Sequence, residues 1–321
     1  MENTIIHTIL GAGNIGTALI NELNSQNKEI RLISRSKPIN LPESVDFRQV
    51  DVFNLVDLKD ALDGSNVVYH TIGLPYPLWK DKLPQIMKNL IKSFKELDQD
   101  IFLVYADNLY MYGEEGAKIG PLSENTPCLA KDSKGIVRDK VAKVLLDAHK
   151  NNDLRATVGR GSDFFGPGAT NSLLHYMFFP KALQNKPIKF FGNLNASHSF
   201  IYLNDFARGL IALAEHPEES AGEIWILPHL KPVTFQKLFQ KIFQKIDRSD
   251  YENIKTSSDV LLKIASLFNR TAKEFKEVSY QIKTDWIVDD SKFRETFHVD
   301  NIPFAMALSE TIKWYKEHFN D

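Results

Sequence analysis

Thr4-Ile5-Ile6-His7-Thr8-Ile9-Leu10 runs straight into Gly11-Ala12-Gly13-Asn14-Ile15-Gly16, and Thr17 to Leu23 follows with Ala18, Leu19 and Leu23 spaced to pack on one side. The first segment is β-branched and apolar, as in a strand buried on both faces of a parallel sheet. The last segment reads as a helix. Three glycines between a strand and a helix make a G-x-G-x-x-G turn in the context that gives it meaning. Gly11 permits the tight turn, Gly13 lets the backbone approach a pyrophosphate, and Gly16 lets the helix sit close to the strand. The helix N-terminus then offers free N–H groups, near Asn14 and Ile15, and a positive dipole end to phosphate. The turn therefore predicts a dinucleotide site.

The next strand, Ile30 to Ser34, ends at Ser34-Arg35-Ser36-Lys37 with no acidic residue. An NAD site expects Asp or Glu there for the ribose 2′-OH. Arg35 stands about 20 residues past the glycines and suits a 2′-phosphate, so the expected cofactor is NADP rather than NAD.

Outward from this unit, strands and helices alternate. Strands are expected at Val45–Val52 (ending near Asp51), Asn66–Gly73, Ile101–Tyr105 and Arg155–Arg160. Helices are expected at Leu55–Leu62, Lys82–Leu97 and Val137–Lys150. The alternation implies an α/β Rossmann-type, doubly wound parallel sheet, whose ligands sit at the carboxyl ends of its strands. Those ends carry Gly11, Arg35, Asp51, Thr71 to Gly73, and Asp107 to Tyr112. Past Gly161 the pattern loosens, with helical stretches at Asp259–Phe268 and Phe304–His318. A dinucleotide-binding domain over 1–161 and a smaller, mixed α/β substrate lobe over 162–321, interleaved in part, are the expected organisation.

Composition bounds the remaining choices. The chain has 321 residues, 39 Lys plus Arg, 41 Asp plus Glu and a formal charge of −2, which gives no general pull toward nucleic acid. With 43% apolar and 25% charged residues it is too apolar for a disordered chain. No run reaches the roughly 18–20 apolar residues of a membrane span, and Met1-Glu2-Asn3-Thr4 has no basic n-region of a signal peptide. A single cysteine, Cys128, suits a reducing cytoplasm and lacks a nucleophile's setting. No His/Cys/Asp/Glu spacing suggests a metal site.

Several motifs in order resemble the extended short-chain dehydrogenases/reductases, the NAD-dependent epimerase/dehydratase group. Gly13-Asn14-Ile15-Gly16 matches the second half of the family's glycine motif, although its first glycine falls on Leu10. Asp51-Val52 resembles the adenine contact, and Tyr69-His70-Thr71-Ile72-Gly73 the segment beside the cofactor. Leu109-Tyr110-Met111-Tyr112-Gly113 resembles S-x-x-V-Y-G. Arg160 with Phe165-Gly166-Pro167-Gly168 resembles R-P…Y-G-P-G, and Phe200-Ile201-Tyr202-Leu203-Asn204-Asp205 resembles F-V-Y-V-D-D. Asp290 to Phe293 and Thr311 to Tyr315 continue the fit. The resemblance implies cofactor contacts from Gly11, Gly13, Asn14, Ile15, Gly16, Ser34, Arg35, Asp51, Val52, Thr71, Ile72 and Gly73, a small-molecule substrate, and a homodimer as an assembly common among such proteins.

The departures concern catalysis. The family's Tyr-x-x-x-Lys pair exchanges a proton with the substrate oxygen and holds the nicotinamide ribose. Here Lys140 fits the lysine, but Ile136 stands four residues earlier, and Asn108 takes the place of the Ser or Thr. Tyr110, two residues after Asn108 and on the same side of an extended segment, is the leading substitute. Tyr112 reads as a packing residue. Lys134 and Arg138, four apart, share a helix face that either meets an anionic substrate or, as the favoured reading, is a solvated basic face. His198 stands where many sugar-nucleotide enzymes of the family have arginine, and His175 and His198 are candidates for a pocket. Three functions follow from these residues: an NADP-dependent oxidoreductase on a small carbonyl or hydroxyl, sugar-like substrate; a non-catalytic NADP-binding redox sensor or partner-binding protein; and an epimerase or dehydratase working through a transient keto intermediate.

Overall fold

The computed structural model describes residues 5–249, 254–256 and 270–319. Its centre is a parallel sheet of β1 (Ile6–Leu10), β2 (Glu29–Ser34), β3 (Asp46–Gln49), β4 (Val67–His70), β5 (Phe102–Asp107), β6 (Arg155–Arg160) and β7 (Ile224–Ile226). The strand order is β3-β2-β1-β4-β5-β6-β7, with every pairing parallel. The order reverses between β1 and β4, which opens a crevice at their carboxyl ends.

Neighbouring residues on a strand point to opposite faces, and both faces are covered. Ile9 joins Ala18, Leu19 and Leu23 of α1 (Asn14–Ser25), together with Phe206, Leu210 and Leu213 further along the chain. Leu10 looks the other way. There α2 (Leu55–Leu62), α3 (Trp79–Leu97) and α4 (Ser133–Lys150) bury Leu58, Leu62, Leu83, Ile86, Leu90, Val141 and Leu145. This explains why the strands read as apolar runs rather than alternating ones.

Past Gly161 a short strand, Asp163–Phe165, pairs with Phe200–Tyr202. The chain then returns to the central sheet: α5 (Leu203–Glu215) packs on α1, and β7 pairs with β6. A separate aromatic core gathers residues beyond Phe165, in which Phe178 stacks on Phe239 and Phe179 on Tyr315, the last on α6 (Phe304–His318). Rings supply much buried area per residue, which suits a core with little sheet.

Boundaries shift where side chains cap turns. β3 stops at Gln49, and Asp51 instead closes the following turn, its Oδ1 accepting the Phe53 N–H at 3.1 Å. The fifth strand runs on to Asp107 and the fourth ends at His70. The helix expected from Val137 begins at Ser133, because Asp132 Oδ1 accepts the Gly135 N–H at 2.9 Å as an N-cap. The helix expected at Asp259–Phe268 lies outside the described residues.

Three histidines are buried as neutral rings. His7 is lowered to about 4 by burial and then Lys28, and His70 to about 3 by burial and then Arg138. His229 is lowered to about 4 chiefly by burial; its Nε2 accepts the Ser162 N–H at 2.9 Å, which keeps that nitrogen unprotonated. The unfolded chain therefore binds more protons below the ordinary histidine value. Stability is complete above about pH 6.5 and declines as pH falls toward these folded values. Urea unfolding at pH 7.0 and 5.5 should show a loss of order 3 kcal/mol, about 1 per histidine. An unchanged midpoint would contradict neutral burial.

Candidate active site

Gly11 sits at φ +102°, a backbone open to glycine, and its neighbour Ile72 closes over it. A Cβ on Gly16 would stand 2.0 Å from the Gly11 carbonyl oxygen, so α1 meets the strand end only through glycine there. Thr71 Oγ1 donates to Leu10 O at 3.0 Å and to Gly11 O at 3.2 Å, bracing the turn from the next strand. A Cβ on Gly13 would meet nothing within 4 Å. Gly13 is also the N-cap of α1, with no side-chain cap and no acid in the first turn. Asn14 opens the helix and Ile15 packs partly into the core. Free N–H groups, an uncompensated dipole and open space over Gly13 fit a dinucleotide pyrophosphate.

The other cofactor positions lie around the same crevice. Ser34 Oγ donates to Ser36 O at 2.6 Å, and Gln49 Nε2 donates to Arg35 O at 3.1 Å, which fixes the backbone after β2. The Arg35 side chain is exposed and forms no ion pair among the described residues. Val52 is buried and its carbonyl accepts from Asn89 Nδ2 at 2.9 Å; Gly73 is exposed with open space around it.

After Asp107 the chain is not extended: Tyr110–Tyr112 forms a 3-10 turn, and Asn108 Oδ1 accepts the Tyr110 N–H at 3.1 Å. The two residues meet through this Asx-type bond, not by strand alternation. The Tyr110 hydroxyl lies 2.9 Å from that of Tyr76, and its ring stacks on Trp79. Burial, with Tyr76 and Asp163 nearby, holds its pKa well above the ordinary phenol value. It can donate a hydrogen bond but does not ionise near neutral pH. Tyr112 is buried and takes a bond from Arg160 Nη1 at 3.0 Å, as a packing residue would.

Helix α4 turns Lys134, Val137, Arg138, Val141 and Leu145 inward. Lys140 is exposed on a different face, about 200° around the axis from Arg138, and does not join Asn108 and Tyr110. The Lys134–Arg138 face is buried rather than solvated. Lys134 is 2% exposed; its Nζ pairs with Glu277 at 2.7 Å and lies 4.7 Å over the Tyr76 ring. Arg138 is 8% exposed, donates from Nη1 to the Tyr105 hydroxyl at 2.8 Å, and pairs with Asp107 at 3.3 Å under Trp79. Its Nε is buried with no partner. Gly135 lets this helix press on the Tyr110 turn, since a Cβ there would fall 2.4 Å from Tyr110 O. The signal was present in the sequence: Lys134-Gly135-x-x-Arg138 repeats the four-residue spacing of the Tyr-x-x-x-Lys pair.

His198 is fully buried, with Nδ1 3.1 Å from Gln281 O and Nε2 2.8 Å from Asp163 Oδ2. His175 is half-buried beside the Tyr315 hydroxyl at 2.9 Å, against the aromatic cluster around Tyr315. Partial burial and Asp139 push the Cys128 thiol up to about 11, so it is not a nucleophile at neutral pH. A crevice of about 410 Å³ lies at the opposite end of the sheet, between Asp98–Ile101 and Asn152–Arg155, far from these groups. Among the described residues, no group of three or more His, Cys, Asp or Glu could hold a metal, and no helix is long and apolar enough to cross a membrane.

The sheet order, the glycine turn and the open helix end define a Rossmann fold of the nicotinamide-dinucleotide-binding type. The chain belongs to the NAD dependent epimerase/dehydratase family, whose profile matches residues 8–227. Among solved structures it is similar to dTDP-glucose 4,6-dehydratase DesIV of Streptomyces venezuelae, crystallised with NAD and TYD (15% identity, TM-score 0.80, 98% of each chain). It is equally similar to UDP-glucuronic acid 4-epimerase of Bacillus cereus, in complex with NAD (16% identity, TM-score 0.80, 98% of each chain). A curated relative, described as an uncharacterized UDP-glucose epimerase of Bacillus subtilis, is 24% identical over 171 residues. That match covers 50% of this chain and 52% of the relative, so the chain spans about half of its length.

Proposed function

We propose that the protein is an NADP-dependent oxidoreductase acting on the carbonyl or hydroxyl group of a small, sugar-like substrate. The observation that carries this reading is the buried Lys134–Arg138 pair, set beside Tyr110 and Asn108 at the carboxyl edge of the dinucleotide fold. When bound, the cofactor supplies a hydride at its nicotinamide C4. Gly11, Gly13, Asn14, Ile15 and Gly16 would hold its pyrophosphate, Asp51 and Val52 its adenine, and Thr71, Ile72 and Gly73 its flank. Arg138, with an unpartnered buried Nε, takes over the ribose-holding part expected of Lys140. Tyr110 and Asn108 orient the substrate oxygen by hydrogen bonds. Lys134, whose ammonium lies over Tyr76 and against Glu277, is the group placed to give or take the proton. An epimerase using the same residues through a keto intermediate is the second reading, supported by the family.

NADPH oxidation followed spectrophotometrically against a panel of carbonyl compounds tests the first reading. Turnover without net NADPH consumption favours the second. Bound NADPH with neither turnover nor product formation would favour a non-catalytic sensor.

The preference for NADP rests on Arg35, exposed and uncommitted where an acid would read the ribose. Titration calorimetry should show NADPH binding more tightly than NADH, and Arg35→Ala should remove most of the gap, of order 1–3 kcal/mol. Equal affinities in the unaltered protein, in line with relatives crystallised with NAD, would overturn the assignment.

A further inference from the structure

Four buried polar atoms, none in a well-aligned hydrogen bond, occur together beside the catalytic candidates: Asp163 Oδ2 and His198 Nε2, which face each other as an ion pair, and Tyr280 Oη and Gln281 Nε2, whose side chains also adjoin. His198 is 0% and Gln281 4% exposed. Asp163 Oδ2 and His198 Nε2 stand 2.8 Å apart yet lack the alignment of a hydrogen bond. The ring's other nitrogen is held by Gln281 O, and Tyr280 leans on Trp286, whose Nε1 donates to Ser162 Oγ at 3.1 Å. The cluster therefore hangs together around residues 162–163, 198 and 280–286. It faces the Tyr76–Tyr110 pair closely enough for the Asp163 carboxylate to add to the burial that raises both phenols, and Tyr280 with them. Buried groups whose bonds are this poorly aligned cost stability until a ligand or water completes them.

We propose that Asp163, His198, Tyr280 and Gln281 form the floor of the substrate site and take the hydroxyl groups of a free sugar or polyol that carries no nucleotide diphosphate. The inference rests on the dinucleotide reading above and specifies its substrate. A carboxylate accepts, an amide NH2 donates, and a phenol and an imidazole do either, which matches the mixed demands of vicinal hydroxyls. A diphosphate would bring negative charge against Asp163. The nearby cations are already committed, Lys134 to Glu277 and Arg138 to Asp107, Tyr105 and, on the reading above, the nicotinamide ribose. The lone histidine is sealed behind the carboxylate.

The test uses the full chain saturated with NADPH and follows its thermal midpoint and calorimetric heats. The probes are D-glucose, D-galactose, D-mannose, D-glucitol, UDP-glucose and UDP. At least one free sugar or polyol should bind saturably, and UDP should not. Gln281→Leu should weaken that binding about tenfold or more, and Asp163→Asn likewise, while NADPH affinity is unchanged. If Asp163→Asn does not fold, Gln281→Leu decides alone. Binding of UDP or tighter binding of UDP-glucose than of any free sugar overturns the proposal, and so does silence across the whole panel. Failure of NADPH itself to bind would instead overturn the dinucleotide reading.

Discussion

Asp107→Ala is expected to lower the unfolding free energy by about 3–5 kcal/mol, the cost of leaving buried charge without its counterion. The Asp107 side chain is fully buried at the end of β5 and is shared by two arginines. Arg138 Nη1 lies 3.3 Å from one oxygen and Arg160 Nε 3.2 Å from the other. Tyr105 and Tyr112 receive further bonds from these guanidiniums but carry no compensating charge. Removing the carboxylate strands two cations in a space with little water. Asp107→Asn keeps the shape and one acceptor, so it should cost less. Guanidinium chloride melts of the three proteins decide the matter; a loss under 1 kcal/mol for alanine would show that the arginines find other partners.

The second large effect concerns the glycine turn. Gly16→Ala places a Cβ 2.0 Å from Gly11 O and 3.1 Å from Thr71 Oγ1, both parts of a braced turn. Neither atom is the end of a flexible side chain, so the turn or α1 must move, at a cost of about 3 kcal/mol by the measure of overpacked sites. Dinucleotide affinity should fall with it, because the N–H groups that face the pyrophosphate move too. Gly13 behaves differently. Its φ of −78° suits any residue and open space surrounds it. Gly13→Val should therefore melt within about 1 kcal/mol of the unaltered protein, the small cost of a poorer N-cap, yet block the dinucleotide by filling its space.

How much of this was legible in the sequence depends on range. β1, the turn and α1 are adjacent in the chain, and their residue types encode both conformation and ligand. The parallel sheet was legible for the same reason, since each strand is an apolar run between helical stretches. The Asn108–Tyr110 geometry was not, because a side-chain bond to backbone overrides strand alternation there. Lys134 and Arg138 were visible as a shared face, but a basic pair on a helix reads as solvated unless the sheet edge that buries it is known. Asp107 and Tyr105 lie some thirty residues before Arg138 in the chain, and Glu277 lies 143 residues after Lys134. The Asp163–His198–Gln281 cluster draws on three distant segments, and no local pattern announces it. Lys140 matched by spacing alone, and helix periodicity turns it outward.

Calorimetric titration of NADPH into the unaltered protein and into Gly13→Val decides whether the Gly11–Gly16 turn seats a dinucleotide. One saturable site per chain is expected in the first and no measurable heat in the second, with unfolding free energies within about 1 kcal/mol of each other before ligand is added. Equal binding by both proteins, or binding by neither, would contradict a dinucleotide seated on the Gly11–Gly16 turn.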